Sequence, residues 1–229
     1  MKLVLLDSHA LIHRAYHAIS TNLTSPSGEP TNATYGFTST LLRVLSDEKP
    51  DLIAATFDVG KSFRDDLFAE YKAHRPELAE DLRPQLARSR QVVEALGIPA
   101  FGMAGFEADD LLGTLARQAT ERGIETIIVT GDTDTLQLVN PHVRVLMFSP
   151  QSGSGFTLYD EDAVQKRYQL EPRQLIDFKA LKGDPSDNIP GVPGIGEKTA
   201  TKLVQTYGSV EEIYKHLDGI EKRWQDKLR

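Results

Sequence analysis

The sequence predicts an α/β fold in which a mainly parallel β-sheet is flanked by helices. Short apolar runs of strand length occur at residues 2–6, 52–57 and 126–130, and helical periodicity fills the segments between them. Strands that alternate with helices form βαβ units, whose parallel sheet is covered on both faces. A length of 229 residues and a hydrophobic content of 40% are sufficient for such a core.

Each predicted element follows from its local pattern. The run at residues 2–6 ends at Asp7, is too short to cross a membrane and lacks a small-residue cleavage site, so it predicts a buried strand and not a signal peptide. Two later strands are predicted at residues 143–148 and 156–159, joined by the turn-rich sequence PQSGSG. Apolar residues at helical spacing predict helices at residues 10–19, 35–45, 85–96 and 109–120.

Two segments depart from this alternation. Residues 61–84 are highly charged and have little periodicity, and we expect a long, mobile and partly helical excursion over the carboxyl edge of the sheet. From Pro185 the chain is rich in proline and glycine (PSDNIPGVPGIGEKTA), and then helical to its end. The predicted domains are an α/β domain at residues 1–183, with an arch-like excursion at about 61–84, and a helical subdomain at residues 184–229.

Charge is unevenly distributed along the chain. The formal net charge is −7, whereas a basic excess is the usual footprint of a nucleic-acid partner. Residues 91–190, however, carry 15 acidic and 8 basic side chains, while residues 61–90 and 191–229 each carry 7 basic and 6 acidic ones. The acidity is therefore concentrated, which is compatible with a polyanionic substrate bridged by metals. The absence of cysteine excludes disulfides and thiolate metal sites, and it fits a cytoplasmic protein.

Nine acidic side chains are the candidate metal ligands. Parallel strands bring their carboxyl ends to one edge of a sheet, where α/β folds bind ligands. Carboxylates gathered there would repel one another, and hard divalent cations such as Mg²⁺ relieve that repulsion. Two such ions about 3.5–4 Å apart can stabilise the attacking and leaving oxygens of a phosphodiester displacement. The nine are Asp7, Asp58, Glu107, Asp109, Asp110, Asp132, Asp134, Asp184 and Asp187.

Simpler interpretations of these carboxylates exist. A single aspartate after a strand often serves only as the N-cap of the next helix, and Glu107 can serve the dipole of a helix start. An EF-hand is excluded, because no DxDxDG run with a glutamate at the twelfth position occurs. The histidines show no ligand spacing and receive no role.

Five sequence blocks carry a family resemblance. They are LVLLDSHALIHRAYHA, FDVGKSFRDDLFAEYKAHR, EADDLLGTLA, TGDTDTLQLV and LKGDPSDNIPGVPGIGEKTA. Together they resemble the flap endonuclease family, in the form of the 5′-nuclease domain of bacterial DNA polymerase I. The resemblance implies a PIN-like 5′-nuclease fold with a C-terminal helix–hairpin–helix. It also implies 5′-flap endonuclease and 5′→3′ exonuclease activity on DNA, as in primer removal and nick translation during replication and repair.

The resemblance further implies which side chains hold metals and phosphate. One Mg²⁺ would be held by Asp7, Asp58, Glu107 and an aspartate of the EADD block, and the other by Asp132, Asp134, Asp184 and Asp187, with Mn²⁺ tolerated. The cations that match phosphate-facing family positions are Lys72 and Arg75, at the scissile phosphate, and Arg14 and Arg64. A solvated surface charge is the alternative for these four, and for Arg64 it is the favoured one.

Further positions match DNA-contacting parts of the family. Tyr16 and Phe63 are candidates for stacking on an unpaired base, with packing in the core or the arch as the alternative. GVPGIGEKTA resembles a helix–hairpin–helix, although it can also be a glycine-capped turn. In the first interpretation the duplex backbone is approached by Gly194, Gly196, Lys198 and Thr199. A K⁺ would be bound by carbonyls of Gly191, Pro193 and Gly196.

The expected partner is DNA with a 5′ flap, a nick or a 5′ end at a duplex junction, bound by a monomer. Family domains usually continue beyond this point, and the last residues (EKRWQDKLR) resemble a helix cut short, so we expect a truncated domain that is natively fused to a polymerase. Two alternatives remain, an RNA-directed PIN-like nuclease and a non-catalytic DNA-binding module. The basic excursion and the duplex-binding motif argue against the first, and the complete carboxylate set argues against the second.

Overall fold

The computed structural model describes residues 1–149 and 155–229, and it confirms an α/β fold with a mainly parallel sheet. The strands are β1 (Lys2–Asp7), β2 (Leu52–Thr56), β3 (Ala100–Phe101), β4 (Glu125–Thr130), β5 (Val143–Phe148) and β6 (Phe156–Tyr159). They form one sheet in the order β3-β2-β1-β4-β5-β6, and β6 is antiparallel to β5 whereas the other pairs are parallel. A small antiparallel pair consists of β7 (Gly183–Asp184) and β8 (Ile189–Pro190).

The predicted helices all form, with bounds that differ by a few residues. In chain order the helices are α1 (Ser8–Ala18), α2 (Asn32–Glu48), α3 (Phe63–Leu67), α4 (Arg83–Ala95), α5 (Ala108–Thr120), α6 (Glu161–Tyr168), α7 (Leu175–Lys182), α8 (Glu197–Tyr207), α9 (Val210–Lys215) and α10 (Lys222–Leu228). Short 3₁₀ helices occupy Thr133–Leu138, Pro172–Gln174 and Leu217–Gly219. In the described ranges, no helix is both long and apolar enough to cross a membrane.

The first strand lies at the centre of the sheet, between β2 and β4. Its successive side chains point to opposite faces, so Val4 and Leu6 pack on one side and Leu5 on the other. All three are fully buried, which explains why the run is continuously apolar and does not alternate.

Each face of the sheet carries its own apolar cluster. On the Val4 face, α1, α2 and α4 contribute Ile12, Phe37 and Val93. On the Leu5 face, α5 contributes Leu112, and the C-terminal helices join the same cluster through the buried side chains of Val204, Ile213 and Leu228. The apolar cluster is thus continuous across residue 184, and the domain boundary placed there stays a prediction.

The excursion at residues 61–84 is partly helical, through α3, and is fastened to the rest of the chain. Ser62 and Asp65 form a capping box at the start of α3. Farther along, the Lys72 backbone N–H donates to the Asp187 carbonyl at 3.0 Å, and the Asn188 side chain donates to the Glu70 carbonyl at 2.7 Å. The turn predicted for PQSGSG lies outside the described residues, except for its last residue, Gly155.

Candidate metal centre and nucleic-acid interface

Carboxylates from several segments meet at the carboxyl edge of the sheet. Asp7 ends β1, Asp58 and Asp132 follow β2 and β4 within two residues, and Glu107 and Asp109 lie at the start of α5. These five line a cavity of about 600 Å³. A second cavity, of about 420 Å³, is lined by Glu107, Asp109, Asp134, Asp184 and Asp187. Glu107 and Asp109 therefore belong to both, and eight of the nine predicted ligands come together in two adjoining groups.

Among the residues that the structure describes, the carboxyl groups of Asp7 and Asp109 have no cationic side chain as an ion-pair partner. The carboxylate of Asp7 accepts hydrogen bonds from Thr130 Oγ1 at 2.5 Å and from the Ala10 N–H at 3.1 Å, as the N-cap of α1. Burial nevertheless raises the pKa of Asp7 to about 6 against those two hydrogen bonds. Burial, together with the charges of Asp7 and Asp132, raises the pKa of Asp109 to about 8. Such carboxylates suit a divalent cation, since it relieves both the burial and the repulsion.

The second group already contains a cation. One oxygen each of Asp134, Asp184 and Asp187 lie within 4.8 Å of one another, and Lys179 on α7 donates hydrogen bonds to Asp134 and, at 2.7 Å, to Asp184. Burial raises the pKa of Asp134 although Lys179 opposes the rise. For Asp184 burial acts in the same direction, but hydrogen bonds from Lys179 and Ser186 outweigh it and lower the pKa. Sequence reasoning missed Lys179, because nothing marks it within the α7 sequence.

Side chains of the excursion lie against the two carboxylates that face it. Lys72 Nζ donates to both oxygens of Glu107, at 2.9 and 3.0 Å, and Arg75 donates to Asp187 Oδ1 at 2.6 Å. The buried Tyr71 hydroxyl lies 2.9 Å from Glu107 and 3.1 Å from Asp187, so one O–H serves two acceptors. Burial and the two negative charges raise the pKa of Tyr71. The predicted phosphate-binding cations are thus adjacent to the predicted metal ligands.

Asp110 is placed differently from the other eight. Arg64 donates two hydrogen bonds of 2.8 Å to its oxygens, and these bonds lower the pKa of Asp110. Asp110 also accepts from the Glu107 N–H at 2.9 Å, which completes a capping box at α5. Asp110 and Arg64 thus form an ion pair that anchors α3 to α5, and both line a further cavity of about 290 Å³ with Asp109 and Asp134. The metal-binding role of the EADD aspartates and the phosphate-facing role of Arg64 stay predictions.

The remaining cation and aromatic candidates fall into two groups. Arg14 lies over the ring of Phe148 at the end of β5, and the Tyr16 hydroxyl donates to Asp81 at 2.8 Å, which favours the packing alternative for Tyr16. Phe63 is exposed and meets Phe106 edge to face at 5.8 Å, so its ring remains open to a ligand.

Three histidines line the first cavity, although sequence reasoning gave them no role. His9, His13 and His17 recur every four residues along α1, a spacing that places them on one face of a helix that begins directly after Asp7. His9 Nδ1 accepts a hydrogen bond of 3.1 Å from the Asp58 N–H. Burial lowers the pKa of His9 despite the nearby charge of Asp58, consistent with a neutral ring that orients the segment carrying that ligand.

The proline- and glycine-rich segment forms a tight connection before α8. Gly183, with φ at +85°, packs back to back on Gly191, where an added Cβ would lie 2.2 Å from the Lys182 carbonyl carbon. Gly194, Gly196 and Lys198 are exposed at the start of α8, while Thr199 is half-buried. Lys227 of α10 reaches the same place, since a Cβ on Gly194 would lie 2.1 Å from its Nζ.

Two family descriptions match the chain from end to end. Residues 2–169 match "5′-3′ exonuclease, N-terminal resolvase-like domain", and residues 170–229 match "5′-3′ exonuclease, C-terminal SAM fold". The chain is 54% identical to DNA polymerase I of Chloroflexus aurantiacus over 99% of its own length and 24% of the relative. It is 45% identical to DNA polymerase I of Mycobacterium tuberculosis, over 99% of the chain and 25% of the relative. The chain thus spans about a quarter of these relatives.

Solved structures with the same fold include nucleases with metals and with DNA. A T5 5′-exonuclease with bound zinc ions has a TM-score of 0.80 at 24% identity, over 100% of this chain and 84% of that one. A bacteriophage T5 flap endonuclease in a product-type complex with DNA and metal ions has a TM-score of 0.80 at 23% identity, with the same coverage. The catalytic core of Rad2 with a DNA substrate has a TM-score of 0.64 at 18% identity, over 100% of this chain and 69% of that one.

Proposed function

This chain belongs to the 5′-3′ exonuclease family, and from that premise we propose that it hydrolyses phosphodiester bonds of DNA with two divalent metal ions. One observation carries the proposal: eight carboxylates line two adjoining cavities that share Glu107 and Asp109. Carboxylate oxygens in an open arrangement are the ligands that Mg²⁺ prefers. Two adjoining groups of carboxylates fit a closely spaced pair of ions.

The proposed ligands divide into two groups. Asp7, Asp58, Glu107 and Asp109 would hold one Mg²⁺ or Mn²⁺, and Asp132, Asp134, Asp184 and Asp187 would hold the other. Asp132 lines the first cavity but adjoins the second group, since the Asp134 N–H donates to its carboxylate at 2.9 Å. When bound, such ions supply Lewis-acid activation of the phosphate and of the attacking water. Lys72 and Arg75 would then bind the scissile phosphate, because they already contact Glu107 and Asp187, two of the proposed metal ligands. Lysine offers a mobile point charge, and arginine a fork that matches two phosphate oxygens.

The substrate we propose is DNA with a 5′ flap, a nick or a 5′ end at a duplex junction. Backbone N–H groups at the start of α8, with Lys198 and Thr199, would hold the duplex without reading its sequence. A K⁺ on carbonyls of Gly191, Pro193 and Gly196 belongs to the same proposal. The chain would act as a monomer, fused in its native form to a polymerase, and would remove primers during cytoplasmic replication and repair.

Cleavage of a labelled 5′-flap duplex tests this function. We expect cutting in Mg²⁺, none in excess EDTA, and retained duplex binding in EDTA. Asp132→Ala should abolish cutting, whereas Asp162→Ala, an equal charge change at an exposed residue of α6, should not. Robust cutting in EDTA would contradict the metal mechanism. Faster cutting of single-stranded RNA than of the flap would instead support an RNA-directed nuclease, and no cutting of either would support a binding module.

A further inference from the structure

A lysine lies inside the second carboxylate group. Lys179 donates hydrogen bonds to Asp134 and to Asp184, and both carboxylates belong to the trio whose oxygens lie within 4.8 Å of one another. The third member, Asp187, is held by Arg75 and Tyr71 of the excursion. One ammonium group therefore bridges two carboxylates that are proposed ligands of a divalent ion.

Lys179 differs from the other cations of the centre in the structural element that carries it. Lys72 and Arg75 belong to the excursion, and they can turn toward a phosphate without disturbing the sheet. Lys179 lies on α7, between Phe178 and Leu181, whose side chains are buried in the core. It therefore stays beside Asp134 and Asp184 whatever the excursion does.

In the first carboxylate group, the lysine that contacts a carboxylate belongs to the excursion: Lys72 donates to both oxygens of Glu107, at 2.9 and 3.0 Å. Within the described ranges, none of the ion pairs includes Asp7 or Asp109. In the same ranges, the hydrogen bonds that the Asp7 carboxylate accepts come from the Thr130 hydroxyl and the Ala10 N–H. A cation that enters this group displaces no charged side chain from those two carboxylates.

We propose that Lys179 is a built-in competitor for the second divalent ion and sets the concentration at which that ion binds. The inference rests on the proposed two-metal function. An ammonium group between two carboxylates repels a divalent ion that enters the same place and competes with it for their negative charge, so binding of the second ion weakens or displaces two charge-assisted hydrogen bonds. At the first group the competing cation is Lys72, which contacts Glu107 and belongs to the excursion instead of a helix packed in the core. The two ions therefore bind at separate concentrations, and Lys179 holds Asp134 and Asp184 together against their mutual repulsion until the second arrives.

The test is a titration of the DNA-free protein with Mn²⁺. The electron paramagnetic resonance signal of unbound Mn²⁺ measures how much of the ion is bound. We expect two classes of site in the parent. In Lys179→Met the weaker class should tighten roughly tenfold or more while the stronger class is unchanged. Lys182→Met is the matched control, because Lys182 lies on the same helix, is exposed and contacts the Phe178 ring instead of a carboxylate. It should bind as the parent does.

Coincident binding curves for the parent and Lys179→Met would overturn the inference, and so would weaker binding by the variant. If Lys179→Met does not fold, as judged by circular dichroism, Lys179→Gln keeps N–H donors without the charge and should tighten the weak class by a smaller factor. Flap cleavage by the parent is measured separately. If the parent cuts the flap but the binding curves of parent and Lys179→Met coincide, only the competitor role of Lys179 is rejected. If the curves differ as expected but the parent does not cut, only the proposed nuclease function is rejected.

Discussion

Neighbouring carboxylates in the candidate metal centre have different hydrogen-bond and ion-pair partners. Asp7 has a hydroxyl and an N–H, Glu107 has Lys72 and Tyr71, and Asp109 has no charged partner in the parts of the chain that the structure describes. In the proposed function, Glu107 would exchange these two partners for a metal, and Lys72 would then be released to a phosphate.

Replacing Lys72 with alanine should therefore act on the rate more than on binding. A cation on the reacting phosphate acts where negative charge develops, and the loss of one such group commonly lowers a rate about 10²–10³-fold. Single-turnover cleavage of a 5′-flap duplex, with affinity measured in parallel, checks this. Lys61→Ala, at an exposed residue of the same excursion, is the control. An equal loss of affinity with an unchanged rate for bound substrate would make Lys72 an ordinary electrostatic anchor.

Asp109→Asn should change how the metal-free protein responds to pH. The folded-state pKa of Asp109 is raised from 3.8 to about 8, so the folded state is favoured by protonation. The contribution of Asp109 to the free energy of unfolding is then fully present below about pH 4 and is lost as pH rises through about 8. Asparagine does not ionise, so the variant should gain stability over the parent, by about 1 kcal/mol or more, between about pH 5 and about pH 8.

Urea unfolding in EDTA at those two pH values measures this gain. Asp162→Asn, at an exposed carboxylate of α6, should differ from the parent equally at both. The same pattern in Asp109→Asn would mean that this carboxyl is not perturbed.

At the scale of elements, the connection between α7 and α8 depends on a close approach of two glycines. Alanine at Gly191 would bring its Cβ to 2.2 Å from a backbone carbon, which the neighbouring strand pair cannot relieve by rotating a side chain. We expect Gly191→Ala to lower the free energy of unfolding by about 1–3 kcal/mol or more. Gly196→Ala, where an added Cβ meets nothing within 4 Å, should stay within about 0.5 kcal/mol of the parent. Equal midpoints in urea for the two variants would contradict the packing argument.

The helix that follows this connection should hold the duplex by its backbone. Lys198→Ala is expected to weaken binding about equally for all DNA sequences and to reduce the log–log salt slope by roughly one. Asp132→Ala, which removes a negative charge at the sheet edge, should preserve or tighten binding. A salt titration of flap-duplex affinity compares the two. An unchanged slope for Lys198→Ala would leave the segment as a glycine-capped turn.

The sequence predicted some elements well and others not at all, for physical reasons. Strands β1, β2 and β4 are apolar runs with an aspartate at their last residue or within two residues after it, so their positions and the gathering of carboxylates follow from local pattern. The position of the excursion does not follow from local pattern. Tyr71 and Arg75 contact Asp187, which is more than 110 residues away in the sequence, and no periodicity encodes that contact. A two-residue strand such as β3 has no pattern to detect.

The capping role of Asp110 lay within reach of the sequence. Glu107 and Asp110 are three residues apart at a helix start, which is the spacing of a capping box. That spacing assigns Asp110 to the helix terminus and leaves Asp109 for the sheet edge. By contrast, Lys179 becomes significant only when α7 is packed against the 3₁₀ helix that carries Asp134.

For the whole molecule, the net charge of −7 is compatible with the proposed polyanionic substrate because of where the acidic side chains lie. The eight carboxylates of the two cavities account for the excess, because −7 plus 8 leaves +1 for the remainder. Two divalent ions would add four positive charges at the sheet edge. The field that DNA meets there would be set by bound metal and by the cations of the excursion, not by the average composition.

The central position of β1 has a consequence for synthesis of the chain. Val4, Leu5 and Leu6 are fully buried, yet the strand that covers their second edge, β4, begins only at Glu125. At about 5–20 residues per second, a ribosome needs roughly 6–24 s to make the intervening segment of about 120 residues. Throughout that interval one edge of an apolar strand has no neighbour, which is the condition under which nascent chains aggregate or recruit chaperones.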